Sequence, residues 1–378
     1  MRFLAFCATI ITKIVLKKGW DFIIMLNRKE RMRQFQISRC KKEIVRRRKR
    51  NQRILRRKKN ALRHGIAYTP PHVQQQRGKK RTHTLVPPNV FSLCQNSCDS
   101  VAFFDKVVWT IRYCKMHDSL FFDLSAVQTI TPDAIMYLIA IIKNMRRIKL
   151  LRISCRGNLP QEKTAREIIE KSGFYSYVQS SSFRNIAADA NYMKISSGFD
   201  ADGQLASSFC DFVQTSCKMT IRDTKKLYPM LIELMTNTHQ HAYREDGHGI
   251  MERFWYVSAY VTTIGVHFVF LDTGAGIPAT VHKKTLERMT EIISANDAKY
   301  LESTLRGAFR TETQQVHRGK GLPGIYEDAC KQEIANLCIV SNKGKCLVKG
   351  ENIYSERLTQ NLEGTLFSWD ILKKEDAA

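Results

Sequence analysis

The stretch "ELMTNTHQHAY", Glu233 to Tyr243, sets Glu233, Asn237 and His241 four residues apart beside apolar Leu231, Leu234, Met235 and Ala242. In a helix, positions i, i+4 and i+8 fan over about 80° of surface. A carboxylate, an amide and an imidazole would therefore share one stripe, next to the stripe that packs. Such groups can hold a hard cation or move a proton; they can equally form a solvated face. Two glycine-rich turns follow. "FVFLDTGAGIP" ends an apolar run at Asp272 with Gly274 and Gly276 behind it, and "GKGLPGIYEDA" places Gly319, Gly321 and Gly324 ahead of a helical segment. Glycine lets backbone approach a ligand and take positive φ, and amides at a helix N-terminus suit phosphate oxygens.

The common nucleotide fingerprints fail on context. "GAGIPA" and "GKGLPG" both satisfy a dinucleotide pattern. After Ala279, however, about 26 residues read as helical, with no second parallel strand carrying a ribose-binding acid. "QQVHR" before Gly319 is not a strand, and Lys320 is followed by Gly321 where a Walker loop needs Ser or Thr.

What remains is an ordered set: E-x3-N-x3-H on a helix, D-x-G-x-G-I after a strand, G-x-G-L-x-G before a helix, and Gly-Thr in a late strand. In this order the chain resembles GHKL ATPase domains, the Bergerat fold of type II topoisomerases, ninety-kilodalton heat-shock chaperones, sensor histidine kinases and anti-sigma serine kinases. The likeness spans about 175 residues. It implies ATP and Mg²⁺ as cofactors. By resemblance Asp272 accepts from the adenine amino group, Gly274 and Gly276 lie against base and ribose, and Ile277 supplies apolar contact. Asn237 would hold Mg²⁺. Gly319, Gly321, Leu322 and Gly324 would wrap the phosphates, with Lys320 or Arg318 adding charge, and Thr365 would contact the nucleotide. Glu233 occupies the general-base position of members that hydrolyse ATP or phosphorylate serine. The segment 281–318, with "RGAFRTET", matches the family's lid. His241 reads as a partner of that site or as packing beside Ala242, and His239 as solvated.

Elements must position these residues. Helices are expected near 203–217 and 223–243. Strands "FWYVSAYVT" and "IGVHFVFLD" follow, joined by the turn "TTIG". A charged helical stretch over 281–305, a loop over 306–319 and a helix over 325–333 come next. Strands "ANLCIVSN", "KCLVKG" and "GTLFSWDI" close the pattern. Helices on one face of a mostly antiparallel sheet make an α+β sandwich over residues 195–374. Residues 85–190 alternate helix and strand: a helix near 99–114, strand "SLFFDLSAV", a helix over "TPDAIMYLIAIIKNMRRI" capped at Thr131 with Pro132 in its first turn, strand "LLRISCRG", and a helix near 162–171. The segment "FFDLSAVQTITPDAIMYL" resembles STAS domains, although Pro132 departs from the phosphorylated members and leaves Thr131 as the candidate acceptor. The fold class expected is thus a two-domain α/β protein, a STAS-like domain before a GHKL-type domain.

Charge is segregated. Residues 1–90 hold 26 lysines and arginines against three acids, a net +23, while the other 288 residues net only +3. Residues 1–84 read as a basic helical or disordered extension and linker. The run over 28–63 suits non-specific nucleic acid, an acidic protein or lipid surface, or a solvated tail. Eleven cysteines show no zinc-finger spacing, so reduced thiols in a cytoplasmic protein and no structural metal are expected. The apolar run Phe3–Leu16 is too short to span a bilayer and contains Lys13; a translation start at Met25 or Met32 would remove it.

Two functions remain open: an ATPase or protein kinase using Glu233, or a regulator whose Mg-ATP state is read by an unidentified protein partner. Alternatives are an anti-sigma type serine/threonine kinase and a nucleic-acid-associated ATPase. A typical sensor histidine kinase is not expected, because no helical hairpin carries a phosphoacceptor His followed by acid and Pro. STAS beside GHKL is similar to bacterial partner-switching pairs and implies signalling. A dimer is left open.

Overall fold

The computed structural model describes residues 43–49, 51–56, 59–60, 81–115, 118–145, 153–177, 189–222, 224–241, 251–279, 296–307 and 321–373. The chain divides into two compact units, Met1–Gly78 and Lys79–Ala378. In the first, residues 43–49, 51–56 and 59–60 are helical, and Ile44, Val45 and Leu55 are exposed, as expected of apolar positions too sparse to form a packing stripe.

The second unit is a mixed α/β structure with parallel and antiparallel sheets. Its first part holds strands β1 (Thr82–Leu85), β2 (Val90–Phe91), β3 (Ser119–Phe122), β4 (Thr129–Ile130) and β5 (Ser154–Gly157). Helices α1 (Ser97–Tyr113), α2 (Pro132–Asn144), α3 (Lys163–Lys171) and α4 (Phe174–Tyr177) lie among them. β1-β3-β5 form a parallel sheet and β2-β4 a parallel pair. Thr131 is extended and Pro132 opens α2, as expected, but the Thr131 hydroxyl bonds the Asp133 carboxylate instead of capping the backbone. Asp133 in turn accepts from Cys94 N at 3.0 Å and Ser92 Oγ at 3.3 Å.

The second part holds β6 (Tyr192–Gly198), α5 (Gly203–Cys217), α6 (Leu227–His241), β7 (Trp255–Val261) and β8 (Gly265–Asp272). α7 (Asp297–Leu305), α8 (Gly321–Cys330), β9 (Ala335–Lys349) and β10 (Asn352–Leu372) complete it. The five strands run antiparallel in the order β6-β7-β8-β10-β9. Successive residues on a strand point to opposite faces. Trp255, Val257, Phe268, Phe270, Ile339, Phe367 and Trp369 accordingly face α5, α6, α7 and α8. Tyr256, Val269, Leu271, Cys338, Val340 and Leu366 face the other way, into one core with α1 and α2. The sandwich expected to carry helices on one face is covered on both. That explains why α2 is apolar nearly all round, with only Ile142 and Lys143 not buried. Tyr137 seals the contact: its hydroxyl donates to Glu363 O at 3.2 Å and accepts from Glu363 N at 3.0 Å. Asn144 reaches the Tyr256 hydroxyl.

Several boundaries differ from the expectations. Three closing strands become one long hairpin, β9 and β10, turning at Gly350 with φ +58. Its projecting half, 352–363, is largely exposed, and only Leu358 and Leu362 are buried there, so the sequence lacks the apolar alternation of a half-buried strand. α6 starts at Leu227, with Pro229 in its first turn where the missing N–H costs nothing. α8 spans 321–330, ahead of the expected 325–333, and Gln332 at φ +57 lies just past its end. Of the helical stretch expected over 281–305, α7 is the described part, capped by Asn296, whose side chain accepts from Lys299 N at 3.0 Å. Residues 280–295 and 308–320, most of the expected lid, lie outside the described residues. No helix among the described residues is long and apolar enough to cross a membrane.

Candidate functional site

Asp272 ends β8 and stands directly across from Thr365 of β10 and Trp255 of β7. Its Oδ1 accepts from Gly274 N at 2.8 Å, which closes the turn behind the strand. Burial pushes its carboxyl up to about 6, against the Gly274 N–H and the Thr365 hydroxyl, which favour the ionised form.

The turn after Asp272 is held from below. Gly276 takes φ +87, and a Cβ there would lie 2.5 Å from Asn342 Oδ1. Asn342 donates to Ala275 O at 3.1 Å and accepts from Ala279 N at 3.2 Å. Ser341 Oγ accepts from Ile277 N and donates to Gly364 O, both at 3.0 Å, and lies 3.0 Å from Thr365 Oγ1. Ser341 and Asn342 were not singled out from the sequence. The available signal was the polar pair closing the apolar run "ANLCIVSN".

A second group of polar residues lies on α6. Asn237 Nδ2 donates to Glu233 Oε1 at 3.3 Å, and both side chains are half-buried. Gly321, at φ +59, opens α8 with its open side toward Glu233. Lys226 donates to Asp328 Oδ1 at 2.8 Å and ties the residues ahead of α6 to α8. Ile277 and Leu322 pack on the same core, and Gly324 lies in the first turn of α8. Glu233, Asn237 and Gly321 are therefore brought together, and so are Asp272, Gly274, Gly276, Ile277 and Thr365. Gly319 and Lys320 lie outside the described residues, as do the side chains of His239 and His241.

The donor set offers hard oxygen ligands and backbone N–H groups. Asn237 spends its N–H on Glu233, which leaves the amide carbonyl as a hard oxygen ligand. Gly321, Leu322 and Gly324 carry backbone N–H groups in the first turn of α8, whereas Pro323 has none, and N–H groups at a helix N-terminus can hold an anion. A second arrangement invites a catalytic reading and does not support it. Ser368 Oγ, His267 Nε2 and Nδ1, and Asp370 Oδ1 are linked at 3.0 and 2.6 Å in the order of a proton-relay triad. Ser368 is only 2% exposed, however, so no substrate carbonyl reaches it. Burial opposes ionisation of Asp370, but His267 and Asn336 outweigh it and hold the carboxyl below its ordinary range. The network secures the pairing of β8 with β10.

No protein-family model matches the chain, and no curated protein matches it in sequence.

Proposed function

We propose that residues 195–374 bind Mg-ATP in a GHKL-type site and that a protein partner reads the resulting state. The observation that carries this is the meeting of the Glu233–Asn237 pair with Gly321 at the head of α8. On this reading Asp272 accepts from the adenine amino group, Gly274 and Gly276 admit the base, and Asn237 offers its carbonyl to Mg²⁺. The N–H groups of Gly321, Leu322 and Gly324, though not of Pro323, hold phosphate oxygens. Bound Mg²⁺ would neutralise phosphate charge, and Glu233 would take a proton from an attacking hydroxyl or water.

Regulation is favoured over phosphorylation within the same chain. The STAS-like candidate acceptor Thr131 is bonded to Asp133 and heads α2, whose side chains join the core on the sheet face opposite α6. α2 and α6 thus pack on opposite faces of the sheet. Calorimetry with Mg-ATP, alongside phosphate release by wild type and Glu233→Gln, tests the proposal. Tight binding with little turnover in either protein is expected. Absence of ATP binding rejects the site, and turnover lost in Glu233→Gln would convert the reading to an enzyme.

A further inference from the structure

We propose that His83, Cys114 and Asp118 form a transition-metal site of the kind that takes Zn²⁺. β1 supplies His83, the C-cap of α1 supplies Cys114, and the residue leading into β3 supplies Asp118. Their ligand atoms all lie within 4.8 Å of one another. The site sits where the parallel sheet begins, and Ser119, next to Asp118, pairs with Thr82, next to His83.

The His83–Asp118 spacing is that of two ligands on a shared ion. His83 Nε2 and Asp118 Oδ2 are 3.3 Å apart. That is long for a charge-assisted hydrogen bond, which runs about 2.7–2.9 Å. Two ligands on a tetrahedral Zn²⁺, each at about 2.0–2.2 Å, stand roughly 3.3 Å apart. An N, S and O donor set favours zinc-like ions over Mg²⁺ or Ca²⁺. The same Asp118 Oδ2 also accepts from Lys115 N at 2.8 Å, a hydrogen bond that holds the carboxylate in place. Cys114 closes a 17-residue helix whose last carbonyls favour positive charge. Cys114 and Asp118 are buried, whereas the His83 side chain is 35% exposed on an edge strand and gives an ion a way in. Three protein ligands leave a fourth position open on that side. Binding would pin the end of α1 to the start of β1 and β3. Zinc-finger spacing could not reveal this trio, because Cys114 and Asp118 meet His83 only through strand pairing.

Cobalt substitution tests it. The full chain, purified without a histidine tag and stripped with chelator, is titrated with Co²⁺. Expected are visible bands of tetrahedral intensity and a near-ultraviolet thiolate-to-cobalt band, saturating at one ion per chain and removed by Zn²⁺. Cys114→Ser should lose the near-ultraviolet band, and His83→Ala should weaken binding by about tenfold or more. Should Cys114→Ser fail to fold, His83→Ala at its edge position decides the matter. No tetrahedral spectrum in wild type, or the same spectrum and affinity in His83→Ala, overturns the proposal.

Discussion

Glu233 Oε1 lies 3.6 Å from the point where a side chain on Gly321 would begin. α6 and the head of α8 therefore meet across a glycine at φ +59, a backbone region that costs other residues about 1–2 kcal/mol. Gly321→Ala should reduce ATP affinity by about tenfold or more, because a shift of α8 moves its amides away from the phosphates. Calorimetry on a variant shown to be folded checks this. Unchanged affinity would place the phosphates elsewhere.

Asp272 makes a prediction about stability as well as binding. Its folded carboxyl sits at about 6, above the roughly 3.9 of an unfolded chain. A raised carboxyl favours the fold fully below about pH 4, and that contribution is lost as pH rises through 6. Ionised Asp272 at pH 8 then opposes the ligand-free fold by up to about 3 kcal/mol. Asp272→Asn should raise the melting temperature at pH 8 and leave it nearly unchanged at pH 4. It should also weaken ATP binding about ten- to a hundredfold, since a charge-assisted hydrogen bond contributes roughly 1.5–3 kcal/mol. An equal melting shift at both pH values would contradict the buried-carboxylate account.

Asn342 should matter to ATP without touching it. Asn342→Ala removes both bonds to the 275–279 turn and frees the space under Gly276. We expect a loss of about 1–3 kcal/mol in stability and weaker ATP binding, with hydrogen exchange of the Ile277 and Ala279 amides accelerated. Exchange identical to wild type would show that Ser341 alone holds the turn.

Tyr137 joins the two halves of the second unit. Tyr137→Phe keeps the ring packing against Phe104, whose centroid is 4.7 Å away, but leaves the Glu363 N–H without its hydroxyl acceptor. The expected cost is about 1–3 kcal/mol in denaturant melts. A cost near zero would mean that water replaces the hydroxyl.

The basic extension should act separately. A chain starting at Lys79 keeps β1, whereas one starting at Leu85, the first boundary expected, would remove most of that strand. The Lys79 chain should fold and bind ATP like the full protein. Full-length affinity for duplex DNA should fall steeply between about 50 and 200 mM salt, as counterion release requires. DNA affinity surviving the truncation would move the contact to the second unit.

The sequence by itself determined which residues turn inward. The unbroken apolarity of "FVFL", the alternation in "TLFSWDI", the four-residue recurrence of Glu233 and Asn237, and the glycines at 274, 276 and 321 are local signals. They follow from strand and helix periods and from backbone sterics. The segregation of charge into residues 1–90 was equally plain. Only the tertiary structure decided what each face meets. Continuous apolarity in β8 shows that both sides are buried, but not that α2 covers one of them. Ser341 and Asn342 buttress a turn about 65 residues upstream, and Cys114 and Asp118 reach His83 through a parallel pairing. Such contacts join segments far apart in sequence. They are selected by the packing and hydrogen bonding of the whole core, which no local window of the chain encodes.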